Sequence, residues 1–166
     1  MKNQNHIVIL VGVCGTGKSA IGQKVADRLE VPFYDADLLP ASKEGTEGQL
    51  LQDLNLEKWL VSIKELILAQ STKSGCVISC SVLKKEHRKK LMANINQQMD
   101  WVFMNGSYEL VAQRVEQDGG HERSASMLKS DFEALEVPKR ALTVDMSYSE
   151  QDIVDTILKY LARKYG

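Results

Sequence analysis

One eight-residue segment limits the fold of this chain more than any other. Residues 12–19 read Gly-Val-Cys-Gly-Thr-Gly-Lys-Ser and match the pattern G-x-x-x-x-G-K-[ST]. The segment follows the apolar run Ile7–Val11 and precedes Lys18–Leu29, where apolar residues recur at helical spacing. A glycine-rich turn between a strand and a helix can surround an anion with backbone N–H groups and the positive end of the helix dipole. The context therefore predicts a phosphate-binding loop.

The loop also predicts its ligands. We expect Lys18 to reach the β- and γ-phosphates of ATP, and we expect Ser19 to hold Mg²⁺. ATP and Mg²⁺ are therefore the expected cofactors. The residues expected to bind the nucleotide are Gly12, Val13, Cys14, Gly15, Thr16, Gly17, Lys18 and Ser19. The simple alternative is a glycine-rich turn without a ligand.

Short apolar runs alternate with helical segments along the chain, and this alternation predicts the fold class. The predicted strands are Ile7–Val11, Val31–Tyr34, Val77–Cys80, Trp101–Met104 and Leu142–Val144. The predicted helices are Lys18–Leu29, Trp59–Leu68, Lys84–Ile95, Tyr108–Glu116, Ala125–Leu135 and Glu150–Tyr165. Such alternation is typical of an α/β protein with a mostly parallel sheet and helices on both faces. With 166 residues, 43% of them hydrophobic, we expect residues 1–166 to form a single domain.

Charge and cysteine content favour a small-molecule ligand. Lysine and arginine number 21 against 22 acidic residues, so no basic excess indicates binding to nucleic acid or to a membrane surface. The apolar stretch 7–13 is too short for a membrane span or a secretory signal. Cys14, Cys76 and Cys80 lack C-x-x-C spacing, which favours a reducing compartment. We expect a cytoplasmic protein, with a homodimer as one possible assembly.

Two carboxylates follow the second predicted strand. Asp35 and Asp37 lie at a carboxyl end of the sheet, where open α/β proteins bind their ligands. We expect Asp35 to orient the water shell of Mg²⁺ and Asp37 to accept the proton of an attacking hydroxyl, with both close to the substrate. The alternative is that the pair caps the following turn through side-chain to backbone hydrogen bonds.

Three further segments share a pattern with a known family. They are Phe33–Asp37, Cys80–Arg88 (CSVLKKEHR), and Arg114 followed by Gly120-His121 and Met127–Glu136. The family counterparts read F-x-DGD, CSALK-x-x-YR, and R-x6-GHF followed by LL-x-SQF-x-x-LE. Together with the phosphate loop, these segments resemble the gluconokinase family of small P-loop kinases almost to the C-terminus.

The resemblance implies both a fold and an activity. The implied fold is a P-loop three-layer α/β/α sandwich with a five-stranded parallel sheet and a small lid at residues 117–124. The implied reaction is ATP-dependent phosphorylation of a small sugar acid of the gluconate type.

The resemblance also carries roles to particular side chains. Lys18, Asp37 and Arg114 would be catalytic, with Arg114 stabilising charge on the transferred phosphoryl group. Lys84 and Arg88 would meet a substrate carboxylate or phosphates, because a guanidinium fork matches a carboxylate. His121 would contact nucleotide or substrate when the lid closes. The simpler alternatives are a helix-surface cation for Arg114 and a solvated histidine for His121.

The chain departs from the family pattern around the substrate. Ala36 replaces a glycine, Pro40 a histidine, Leu56 an arginine, and Asp118 a second lid arginine. These changes leave two alternatives to a gluconate kinase. One is a shikimate-type or other small-metabolite kinase, and the other is a nucleotide-binding regulatory protein without turnover.

Overall fold

A computed structural model describes residues 6–13, 16–39, 53–95, 98–117 and 122–165. Five strands form one sheet in the order β2-β3-β1-β4-β5, and every neighbouring pair is parallel. The strands are β1 Ile7–Val11, β2 Phe33–Asp35, β3 Cys76–Cys80, β4 Met99–Asn105 and β5 Leu142–Asp145. The helices are α1 Lys18–Leu29, α2 Asp53–Ser71, α3 Lys85–Met92, α4 Tyr108–Gln117, α5 Glu122–Ala134 and α6 Glu150–Tyr165, and a 3₁₀ turn spans Ala36–Leu38.

The sheet is buried between two helical layers. Successive side chains of a strand point to opposite faces, so β1 supplies both cores. Ile7, Ile9 and Val11 pack in one core with residues of α2 and α3. Val8 and Leu10 pack in the other core with residues of α1 and α6. This arrangement confirms the predicted three-layer α/β/α sandwich with a five-stranded parallel sheet.

Several element boundaries differ from the predicted ones, and two of the differences have a clear physical reason. The second strand begins at Phe33 rather than Val31, because the chain first passes the left-handed residue Glu30 and then Pro32, which has no N–H for the strand ladder. Helix α2 begins six residues before Trp59. Leu56 is 6% exposed and extends the buried stripe toward the N-terminus. In the part of the chain that is described, no helix is long and apolar enough to span a bilayer.

A third, smaller core lies beside the phosphate loop. Val13, Leu83, Val111 and Leu128 pack together, and all four are almost fully buried. Val13 belongs to the loop after β1, Leu83 to the loop after β3, and the other two residues to α4 and α5. The phosphate loop is therefore packed directly against the helices on both sides of the predicted lid.

Candidate active site

Two glycines of the phosphate loop are required for different reasons. Gly17 has φ = 80°, a left-handed conformation that favours glycine, and it forms the N-cap of α1. A Cβ on Gly12 would lie 3.1 Å from the carbonyl oxygen of Met104 at the end of β4. The loop thus packs closely against the sheet, and a larger residue at its first position would have to displace a backbone carbonyl. Cys14 and Gly15 lie outside the described residues.

Lys18 lies over the loop rather than in solvent. Its side chain is largely buried, and its Nζ donates a hydrogen bond of 2.9 Å to the carbonyl oxygen of Val13. The hydroxyl of Thr16 donates to the same oxygen, also at 2.9 Å. The two bonds close the loop on itself and hold the ammonium group at the N-terminus of α1.

Ser19 and Asp35 connect the first helix to the second strand. The Ser19 hydroxyl donates to Oδ2 of Asp35 at 2.7 Å. The other carboxylate oxygen of Asp35 accepts the backbone N–H of Asp37 at 2.9 Å and so caps the 3₁₀ turn. Asp35 therefore caps the turn, as the simpler alternative predicted, and it also contacts the serine that we expect to hold Mg²⁺.

Asp37 is held by one residue of the neighbouring strand's loop. Its Oδ1 accepts the backbone N–H of Ser81 at 3.1 Å, and its Oδ2 accepts the Ser81 hydroxyl at 2.8 Å. Burial raises the pKa of Asp37, while the charge of Lys18 and the Ser81 hydrogen bonds oppose that shift without cancelling it. The site therefore contains a fixed carboxylate of increased basicity within the field of the loop lysine.

Helix α2 supports the turn that carries both carboxylates. Trp59 is 2% exposed, and its indole N–H donates a 2.8 Å hydrogen bond to the carbonyl oxygen of Ala36. Neither Trp59 nor Ser81 was assigned a role from the sequence. Ser81 lies in the family-like segment Cys80–Arg88, and this position was the only indication in the sequence that it belongs to the site.

The structure gives Arg88 different contacts from those predicted. The residue is 6% exposed, and its guanidinium donates to three backbone carbonyls, those of Val82 (3.1 Å), Leu83 (2.8 Å) and Glu136 (2.7 Å). The fork predicted for a substrate carboxylate is thus engaged by main-chain acceptors. Lys84, the other predicted cation, is exposed immediately before α3.

Arg114 lies on the other side of the site. It belongs to the last turn of α4, and its guanidinium donates to the carbonyl oxygen of Met146, directly after β5. Asp37 follows β2, so the structure does not bring these two predicted catalytic residues together through any described hydrogen bond. Residues 118–121 of the predicted lid, among them His121, lie outside the described residues, and the role of Arg114 stays a prediction.

Comparisons with known proteins agree with this geometry. A family model described as shikimate kinase matches residues 14–162. The chain is 28% identical to the thermoresistant gluconokinase of Escherichia coli (strain K12), over 97% of this chain and 96% of that protein. It is 34% identical to the thermosensitive gluconokinase of the same strain, over 88% of this chain and 75% of that protein. A crystal structure of a gluconokinase from Sinorhizobium meliloti 1021 superimposes with a TM-score of 0.82 and 32% identity, covering 98% and 94% of the two chains.

Proposed function

This chain belongs to the shikimate kinase family as a relative of the gluconokinases, and we propose that it transfers the γ-phosphate of ATP to gluconate or a closely related sugar acid. The class of enzyme is an ATP-dependent phosphotransferase. The observation that carries the choice of acceptor is the near full-length similarity to gluconokinases in both sequence and structure.

In the proposed reaction Asp37 acts as the proton acceptor. A substrate hydroxyl oxygen attacks the γ-phosphorus, the bond to the β,γ-bridging oxygen breaks, and ADP leaves. The hydroxyl proton passes to the Asp37 carboxylate, which burial makes more basic than an ordinary aspartate by raising its pKa. Lys18 would exchange its contact with the Val13 carbonyl for phosphate oxygens and balance their charge.

The residues present fit a magnesium ion. Mg²⁺ in kinases takes one or two protein oxygens in addition to phosphates and water, and Ser19 and Asp35 offer a hydroxyl and a carboxylate 2.7 Å apart. Ser79 pairs in register with Asp35, and its buried hydroxyl has no hydrogen-bond partner among the described residues. A polar group without a partner beside Asp35 fits a site for a polar ligand, and Ser19 and Asp35 would hold the ion. When bound, Mg²⁺ would neutralise part of the phosphate charge.

Several predicted residues complete the proposal. Lys84 is exposed and could meet the substrate carboxylate, while Arg114 and His121 would act from the lid side. We keep a cytoplasmic location in the proposal, and the free thiols of Cys76 and Cys80 agree with a reducing compartment.

A panel of acceptors tests the function. Purified protein with ATP and Mg²⁺ is incubated with gluconate, related sugar acids or shikimate, and ADP release and product mass are measured. We expect a phosphorylated sugar acid. Turnover with shikimate alone would favour the alternative of a shikimate-type kinase, which the matching family model supports. ATP-induced stabilisation without any phosphorylated product would indicate the regulatory alternative.

A further inference from the structure

The loop that binds the proposed proton acceptor has no regular structure of its own. Residues 81–84, the Ser81 loop, connect β3 to α3. The first of these residues donates two described hydrogen bonds to the Asp37 carboxylate, one from its N–H and one from its hydroxyl. The contacts that hold this loop in place therefore help to fix the position of Asp37.

Arg88 provides those contacts from the side of α3. Its guanidinium donates to the carbonyl oxygens of Val82 and Leu83, the two residues immediately after Ser81. The planar fork of an arginine can reach several fixed acceptors at once, whereas a lysine ammonium has a single donor centre. Because Arg88 is 6% exposed, the loss of these largely buried hydrogen bonds would be unfavourable.

Glu136 holds the same loop from the opposite side. Its backbone N–H donates to the Leu83 carbonyl at 2.9 Å, its Oε1 accepts the N–H of Lys85 at 3.0 Å, and its own carbonyl accepts from Arg88. The Leu83 side chain packs in the small core beside Val13 of the phosphate loop. These bonds connect the loop to α3, to the segment after α5 and to the phosphate loop.

We propose that Arg88 is a positioning residue for phosphoryl transfer, because it holds the Ser81 loop so that Ser81 fixes the Asp37 carboxylate. This inference rests on the proposed kinase function, in which Asp37 accepts the proton. It differs from the assignment made from the sequence, where Arg88 binds the substrate carboxylate directly. The two assignments predict different kinetic effects of the same substitution.

The kinetic test compares Arg88→Lys, Ser81→Ala and the double variant with the wild type. For Arg88→Lys we expect kcat to fall about tenfold or more, while KM for gluconate changes less than about threefold. If Arg88 acts through Ser81, the double variant loses much less than the product of the two single losses. The control is Lys164→Met, which removes a 2.6 Å contact with Asp100 at the far end of the sheet and should leave kcat unchanged.

Amide hydrogen exchange provides a readout that does not need turnover. In the wild type the Ser81 N–H is bonded to Asp37, so it should exchange slowly. In Arg88→Lys we expect the amides of residues 81–84 to exchange at least about tenfold faster, with those of β1 unchanged. Lys164→Met should not accelerate the Ser81 amide selectively.

Each outcome tests either the positioning role of Arg88 or the proposed kinase function. A large rise in KM for gluconate with unchanged kcat in Arg88→Lys would show direct substrate binding and overturn the positioning role. Multiplicative losses in the double variant, or unchanged exchange of the Ser81 amide, would overturn it as well. Absence of turnover in the wild type would count against the kinase function alone, because the exchange comparison still tests the loop. If Arg88→Lys does not fold, the same comparison is made with Arg88→Gln, whose single amide can donate to only part of the Val82, Leu83 and Glu136 carbonyl set; an unchanged Ser81 exchange rate there would contradict the positioning role.

Discussion

Two carboxylates at opposite ends of the same sheet have different kinds of partners. Asp37 follows β2 at the carboxyl end, and a neutral residue, Ser81, supplies its two described side-chain hydrogen bonds. Asp100, near the start of β4, is 2% exposed and accepts from Lys164 at 2.6 Å and from Tyr165 at 2.7 Å.

The difference supports the proposal that Asp37 is held for chemistry, in contrast to Asp100, which is held for stability. Burial raises the pKa of Asp37, so its charge is unfavourable in the folded protein but its basicity is useful for accepting a proton. At the other end the hydrogen bond with Asp100 raises the pKa of Lys164, and burial raises that of Tyr165 to about 12. Both partners therefore stay protonated near neutral pH and keep the cluster intact.

The largest effect should come from Asp37→Asn. An asparagine can still bond with Ser81 but cannot accept a proton, so we expect kcat to fall roughly 100- to 10,000-fold. Since the variant removes an unfavourably buried charge, its free energy of unfolding should be no lower than that of the wild type at pH 7. Steady-state kinetics and urea denaturation measure the two quantities. If Asp37→Asn were strongly destabilised, the Asp37 carboxylate would stabilise the fold as that of Asp100 does, and the two would no longer differ.

Lys18→Ala separates nucleotide binding from proton transfer at the same end of the sheet. A ligand present at 100 times its dissociation constant stabilises a protein by about 2.7 kcal/mol. We expect ATP to give such a stabilisation in the wild type and in Asp37→Asn, and most of it to disappear in Lys18→Ala. Thermal unfolding with and without ATP provides the measurement. Loss of the ATP effect in Asp37→Asn would place that residue in nucleotide binding instead.

Lys164→Met, at the Asp100 end of the sheet, should have the opposite effect: lower stability with unchanged activity. It leaves the buried Asp100 carboxylate with Tyr165 as its remaining described hydrogen-bond donor, so the free energy of unfolding should fall by roughly 2 kcal/mol. The expected loss is moderate because the Lys164 side chain is 34% exposed and partly screened by water. The kcat of the folded variant should match that of the wild type. A loss of activity without a loss of stability would contradict the assignment.

Local sequence patterns predicted more of the fold than of the site. The alternation of apolar runs and helical stripes gave all five strands, and the phosphate-loop motif gave the position of Lys18 at the start of α1. Contacts between segments far apart in the sequence could not be predicted from local patterns. Ser81 binds Asp37 across 44 residues, and Arg88 reaches Glu136 across 48. Every residue carries a backbone carbonyl, so the sequence gives no sign of an arginine that binds carbonyls. The match between a guanidinium and a carboxylate therefore led to the prediction that Arg88 binds the substrate.

The smallest effect concerns His6, which borders the Asp100 cluster. Its ring packs edge-on against Tyr165 at 4.6 Å between centroids, and its buried Nε2 has no hydrogen-bond partner within the described part of the chain. Burial lowers the pKa of His6, and the nearby charge of Asp100 only partly offsets this. The folded protein thus favours the neutral ring, and the unfolded chain binds more protons as the pH falls below about 6.5.

Between pH 7.5 and pH 5 the wild type should therefore lose more stability than His6→Phe. Asp37 and His87, whose pKa values are also shifted, are present in both proteins and do not affect the difference. Lys164 does not confound the comparison, because its raised pKa leaves its contribution constant across this range and reduces it only at alkaline pH. Tyr165, with a pKa of about 12, also stays protonated there. Urea denaturation of both proteins at the two pH values gives the difference directly. Equal losses would show that protonation of His6 does not oppose folding, and that the Asp100 carboxylate compensates the imidazolium fully.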